Sequence, residues 1–306
     1  MGVKDIFENG RGQITFYRQD RESGYAAPGQ TTDRDVTQYG GTAEMPYGES
    51  FEARVKFDKM AQQDGLETDA GEVNLGYEIT EKWILSSGVR YDNREDNSII
   101  VPQTQEVGKR TDAVLKVEYD SLSRWTTYGF VQETVNTTGN RDENRRVGVG
   151  GDLRLTEQFN LVGEVSEGDL GPGAMIGTEY LYSDKTTLYQ NYTLENERSD
   201  NGLLARKGNM TSGFRTRYSD SMSVFLEERY SHGDIPTGLT HSTGVDLAVT
   251  ERLNLEMNLD FGSLKDPQTA AEIDRKTISG SIGYGFDHVK LASGLEYRVD
   301  ENEQPD

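Results

Sequence analysis

Three histidines, His232, His241 and His288, and no cysteine are what the chain has for nucleophilic or metal chemistry. Without cysteine there is no disulfide, no zinc–thiolate site and no thiol nucleophile. His232 reads as a loop residue and His288 as a short-turn residue at the opposite end of a strand, so the two cannot share a metal ion. His241, with Ser231 and Ser242 nearby, is the one place where a Ser–His hydrolase pair could form. Solvated rim histidines are the simpler reading. The stretches "DNREDN" and "NRDEN" offer oxygen ligands for Ca²⁺ but lack EF-hand spacing, so solvated loop charge is preferred. "NTT", "NYT" and "NMT" match the glycosylation pattern by chance. "GVGGD" at 148–152 has no lysine or helix start after it, so its glycines read as bends in a wall rather than a phosphate loop. The expectation is no catalytic residue, no cofactor, no metal and no enzyme.

The elements around these residues are more informative. The stretch "LAVTERLNLEMNLDFGS" alternates apolar and polar on both sides of the break "TER". That is a β-hairpin with two-faced strands. The unit recurs as "YEITEKWILSSGVRYDN", "LRLTEQFNLVGEVSEGD", "YLYSDKTTLYQNYTLEN", "RYSDSMSVFLEERYSHG" and "EYDSLSRWTTYGFVQET". Short turns fall near residues 48, 81, 122, 157, 184, 220, 251 and 287, and longer Gly-, Asp-, Asn- and Thr-rich connections lie between them. Short and long connections thus alternate along the whole chain. Seventeen strands are expected, centred from Phe16 to Leu295, mostly about 9–12 residues long. A tilted membrane strand needs about 9–11. No convincing helix is expected; "DPQTAAEIDRK" has room for one turn.

One face of the alternation is apolar. Its aromatics gather towards strand ends: Phe51, Trp83, Trp125 and Phe159 after short turns, Tyr77, Tyr119 and Tyr218 before them, and Tyr91, Tyr230 and Tyr297 towards the long loops. Two such rows on an apolar band are the girdles of a membrane barrel. The other face carries Glu52, Arg54, Lys56, Glu72, Arg90, Lys116, Glu118, Asp152, Arg154, Glu164, Glu179, Glu195, Arg215, Arg217, Glu227, Arg229, Asp246, Glu256, Asp260, Lys290, Glu296 and Arg298. Burying so many charges dry would cost several kcal/mol each unless paired. Either a soluble sandwich tucks the apolar faces inward, or a membrane barrel turns them to lipid and lines a wet lumen with the charges. Strand length, the difference between the two rims and the girdles favour the barrel: all-β, transmembrane, antiparallel and up-and-down, one domain over 1–306, with 1–10 as an N-terminal extension and 301–306 as a polar tail.

Composition fits. Mean hydropathy is −0.74 and no run approaches the roughly 18 apolar residues of a membrane helix. Alternating strands escape that measure. The net charge of −21 argues against a nucleic-acid partner. The opening "MGVKDIFENGRG" lacks the charged and apolar regions of a signal peptide; an exported chain would have lost its own.

Over nearly its whole length the chain resembles bacterial outer-membrane β-barrels of the porin type. "KDIFENGRGQITFYRQDRESGY" and "GYAAPGQTTDRDVTQYGG" resemble the barrel portion of large exported Gram-negative surface proteins. The resemblance implies an outer-membrane location, contact with lipid or lipopolysaccharide, insertion by the barrel-assembly machinery, and passive passage of small hydrophilic solutes and ions. Two features depart from it: the polar ending "DENEQPD" in place of a terminal aromatic, and the odd strand count. About 16 strands would close if the first stayed out. A barrel that anchors or translocates part of a larger surface protein, engineered or truncated, is the alternative to a pore. Lumen acids outnumber lumen bases, so a weak cation preference is expected. An inward fold of residues 20–35 or 93–110 would narrow the lumen.

Overall fold

The structure, a computed structural model, describes residues 2–6, 12–22, 26–27, 30–31, 35–63, 65–97, 107–198, 204–266, 270–286 and 289–303. These are strands and their connections: β1 (Gly2–Ile6), β2 (Gln13–Arg21), β3 (Ala26–Ala27), β4 (Gln30–Thr31), β5 (Val36–Tyr47), β6 (Phe51–Gln62), β7 (Leu66–Thr80), β8 (Trp83–Asp96), β9 (Gly108–Asp120), β10 (Trp125–Thr137), β11 (Arg146–Arg154), β12 (Phe159–Gly168), β13 (Gly173–Ser183), β14 (Thr186–Arg198), β15 (Leu204–Ser219), β16 (Met222–Gly233), β17 (Thr237–Ala248), β18 (Leu253–Lys265), β19 (Glu272–Gly285) and β20 (Lys290–Glu303). β3 and β4 pair only with each other. The others form one 18-stranded sheet, every strand antiparallel to its sequence neighbour. It is the wall of an up-and-down barrel.

All seventeen strands expected from the sequence are present, as β2 and β5 to β20, and the sheet carries one more, which makes eighteen. The added strand is β1, inside the stretch set apart as an extension; it pairs Gly2–Ile6 with Tyr17–Gln13. Five residues outside the repeating hairpin unit leave too little alternation to read. At the other end β20 runs to Glu303, opposite Glu272 on β19, three residues into the expected tail. An even count makes the edge strands β1 and β20 antiparallel, the arrangement that closes an ordinary barrel. Among the described residues these two edges are not paired with each other. One further reading is corrected: "DNREDN" is mostly the end of β8 rather than a loop. In "DPQTAAEIDRK" the Ala270 amide donates to the Asp266 carbonyl at 3.0 Å and β19 starts at Glu272; residues 267–269, where the one turn was expected, lie outside the described set.

Side-chain burial is inverted relative to a soluble protein. Val36, Leu66 and Leu264 are the buried apolar residues among those described, and no large side chain is fully buried. The exposed apolar residues run the length of the sheet, with Val149 at 54%, Met257 at 61% and Leu295 at 82%. The accessible surface is 19922 Å²; a compact monomer of this mass would show about 13,000 Å². A sandwich would have covered these side chains. Here the greasy face is the outside, and hydrophobic burial within the chain does not hold the wall together. Ladder hydrogen bonds do.

The short turns share one device. Thr80 Oγ1 accepts from the amides of Lys82 and Trp83 at 3.2 Å. Thr156 does the same for Gln158 and Phe159, and Thr250 for Arg252 and Leu253. Ser183 and Ser219 take the amide two residues on. This is why hydroxyls recur in the turns: the side chain satisfies amides the tight bend would leave bare. Thr156→Ala is expected to cost about 1 kcal/mol, read as an earlier urea midpoint in lipid vesicles.

Candidate functional site: the concave polar wall

Register sorts the side chains. In one row, Asn160, Glu179, Tyr189, Gly213, Glu227, Ser242 and Asp260 are successive cross-strand partners on β12 to β18. In another, Lys56, Glu72, Arg90 and Asp112 follow on β6 to β9. Extending the rows by alternation places the expected lumen residues, from Glu52 to Arg298, on one face, opposite the apolar one; Lys290 is placed by backbone pairing with Gly285 alone. This face is the concave one. Recesses of about 400, 610 and 450 Å³ open on it.

Four of the expected lumen bases form ion pairs, while Lys56, Arg90, Arg154, Arg215 and Arg217 form none within 4 Å among the described residues. Arg54 meets Glu44 at 3.1 Å, Lys116 meets Glu118 at 2.8 Å, Arg229 meets Glu227 at 2.5 Å and Arg298 meets Glu296 at 3.0 Å. Several acids among the described residues form no ion pair either. Asp246 and Glu256 stand directly opposite each other on β17 and β18. Glu256 accepts from Asn258 and Ser281 at 3.2 Å, and among the described residues neither acid has a basic partner within 4 Å. Like charges directly opposite destabilise a sheet. They are tolerable where water screens them.

Aromatic residues on the concave side were missed. Tyr128 lies over Gly150 and Phe130 over Gly148; a Cβ added to either glycine would come within 2.5 Å of the ring above it. Tyr128 donates to Glu164 at 2.5 Å, with the Lys116 ammonium 4.1 Å from its ring centre. Tyr189 donates to Glu227 at 2.5 Å. Gly148 and Gly150 of "GVGGD" therefore make room for inward aromatics, whereas Gly151, on the other face, lies against the Thr126 carbonyl. A Tyr opposite a Gly across the register was the available signal.

Of the ten expected interface aromatics, Trp83 and Tyr119 are cross-strand partners at 4.9 Å between ring centres, and Trp125 lies 5.2 Å from Tyr119. Phe51 pairs with Tyr77, and Phe159 with Tyr180. Tyr91, Tyr230 and Tyr297 stand on the outer face nearer the long loops, and Tyr218, 76% exposed, beside a short turn. From Trp83 to Tyr91 the outer face is apolar apart from Ser87. Nine residues at barrel tilt give a band about 21 Å tall. Beyond it the outer face turns polar: Lys59 meets Asp69 at 3.2 Å and Glu67 at 3.6 Å.

The histidine readings change. His232 is in β16, not a loop, and its ring stacks between Tyr192 and Tyr230 on the outer face. His241 also faces outward, 3.5 Å from Glu228. Ser242 faces the concave side, and Ser231 does too, donating to the Pro236 carbonyl. A Ser–His pair would have to reach through the wall. His288 lies outside the described residues.

The most buried charged cluster among the described residues sits near the long-loop rim. Arg110, Asp112 and Arg141 are all under 10% exposed. Arg110 donates to Asp112 at 2.8 Å, Thr134 donates to Asp112 at 2.6 Å, and Arg141 reaches both carboxylate oxygens of Asp92. Burial pulls the Arg141 pKa below its ordinary value, and the Asp92 carboxylate opposes that shift. This cluster binds "NRDEN" to the wall, so neither acid-rich stretch is a free calcium loop.

No family model and no curated protein matches the sequence. Solved structures do match the fold. One is OccAB2 of Acinetobacter baumannii, at 12% identity and TM-score 0.56, covering 95% of this chain and 91% of that one. Another is a BenF-like porin from Pseudomonas fluorescens, at 11% and 0.57, covering 95% of each chain. A third is OccK8 (OprE) of Pseudomonas aeruginosa, at 8% and 0.55, covering 95% and 93%. At these identities the likeness is one of fold: the chain has the porin-like barrel architecture.

Proposed function

We propose that the chain is a passive, non-enzymatic pore of a bacterial outer membrane, with a charged, water-filled lumen of weak cation preference. The observation that carries this reading is the pairing of an exposed apolar exterior with a concave wall of acids and bases that only water or each other can solvate. Lipid covers the outside, the aromatic rows sit at headgroup level, and small hydrophilic ions and solutes pass inside. Lipid or lipopolysaccharide is the outer partner, and the barrel-assembly machinery inserts the chain. The polar wall above the apolar band belongs in the headgroup region.

Planar bilayers test it. The purified chain is expected to give steady ohmic steps in KCl, and a reversal potential of cation-preferring sign across a salt gradient. Asp246→Asn with Glu256→Gln is expected to move that potential toward zero, because these acids have no basic partner to compensate them. A sealed bilayer would favour the anchor reading instead.

A further inference from the structure

We propose that residues 138–145, between β10 and β11, form a strap folded onto the concave wall, and that the Arg141–Asp92 clip holding it sets the size of solute the pore admits. The inference rests on the pore reading. Backbone contacts fix where the strap lies. The carbonyl of Arg141 accepts from Thr137 at 2.9 Å, that of Asp142 from Arg110 at 3.4 Å and that of Asn144 from Gln132 at 3.0 Å; the amide of Asn144 donates to Thr134 at 2.7 Å. Thr137, Arg110, Gln132 and Thr134 all belong to the concave face by register. A connection that left the rim outward would meet none of them.

The strap then reaches back across β9 to β8, where the Arg141 guanidinium grips Asp92, 49 residues earlier in the chain. Both hydrogen bonds to that carboxylate come from one guanidinium nitrogen, and Arg141 is 8% exposed. A charge-assisted contact at a buried site holds harder than the same pair in water. Beneath it lies the recess of about 610 Å³, walled by Lys56, Arg90 and Asn144 among others. The strap thus covers lumen that the barrel wall alone would leave open. Residues 98–106 of the connection first expected to narrow the lumen lie outside the described set.

The test is polymer exclusion in single channels, comparing wild type with Asp92→Asn, Arg141→Gln, Arg141→Lys and the Asp92→Asn/Arg141→Gln double variant. The largest neutral polyethylene glycol that enters and lowers the current is the readout, so lumen charge does not enter it. Each variant, with wild-type heat-modifiable mobility on gels, is expected to admit larger polymer, and the double variant no more than the singles. Conductance is expected to rise in both Asp92→Asn and Arg141→Gln, although one removes an acid and the other a base; Asp246→Asn serves as the distant control. An unchanged cut-off in conducting channels, or a conductance change that follows only the sign of the lost charge, overturns the strap and leaves the pore intact. No current from wild type removes the pore reading and the strap with it.

Discussion

Leu115→Arg is expected to lower stability in a bilayer by about 2–4 kcal/mol, whereas Val135→Arg lowers it by about 0–1 kcal/mol. Both residues are exposed, Leu115 at 45% and Val135 at 66%. In water the more exposed site would tolerate arginine equally well or better, and neither change would matter much. Depth separates them. Leu115 pairs with Ser87 and Val131, midway between the Trp83–Tyr119–Trp125 row and the long-loop rim. An arginine there must drag its charge through hydrocarbon to reach water. Val135 sits at the register shift between Thr134 and Asn136, towards the loops, where a long side chain reaches headgroups. Urea unfolding in phospholipid vesicles, followed by the fluorescence of Trp83 and Trp125, reads the difference. Equal costs at the two sites would mean that the apolar face does not sit in a membrane.

That prediction uses the part of the fold legible in the residues. A period of two survives wherever one face meets oil and the other water. The hairpins from β5 to β20 announce themselves through it, and the hydroxyl turns punctuate them. What was not legible lacks that contrast. β1 is too short to show a period. His232 and His241 sit on the outer face among aromatics, where a simple greasy-out rule does not place ionisable groups. The strap has no period: "NRDEN" reads as solvated charge until Asp92 and Arg110 stand beside it in space. The concave charges could be named from alternation, but which acids lack a base depends on cross-strand neighbours. Asp246 opposite Glu256 is a fact of register.

The inward aromatics give the second large effect. Gly150→Leu is expected to cost about 2–4 kcal/mol, most of it through residues on other strands. A Cβ at 150 would meet the Tyr128 ring and hydroxyl at 2.5 Å and the Gly163 carbonyl at 2.9 Å. The ring can move; the carbonyl cannot without bending the ladder. Overfilling such a site costs about 1–3 kcal/mol. Displacing Tyr128 also takes the donor from Glu164 and the ring from under Lys116, and a hydrogen bond to a charged group is worth about 1.5–3 kcal/mol. The two parts overlap, because the same motion causes both. Gly129, on the opposite face and next to Tyr128 in the chain, has no atom nearer than the Gly148 carbonyl at 3.8 Å, so Gly129→Ala is expected to be neutral or to stabilise by up to about 1 kcal/mol. A double-mutant cycle separates ring displacement from backbone strain. In a Tyr128→Ala background, Gly150→Leu should cost about 0.5–3 kcal/mol less. If the cycle closes at zero, Tyr128 does not rest on Gly150, and the glycines of β11 are there for the bend of the wall alone.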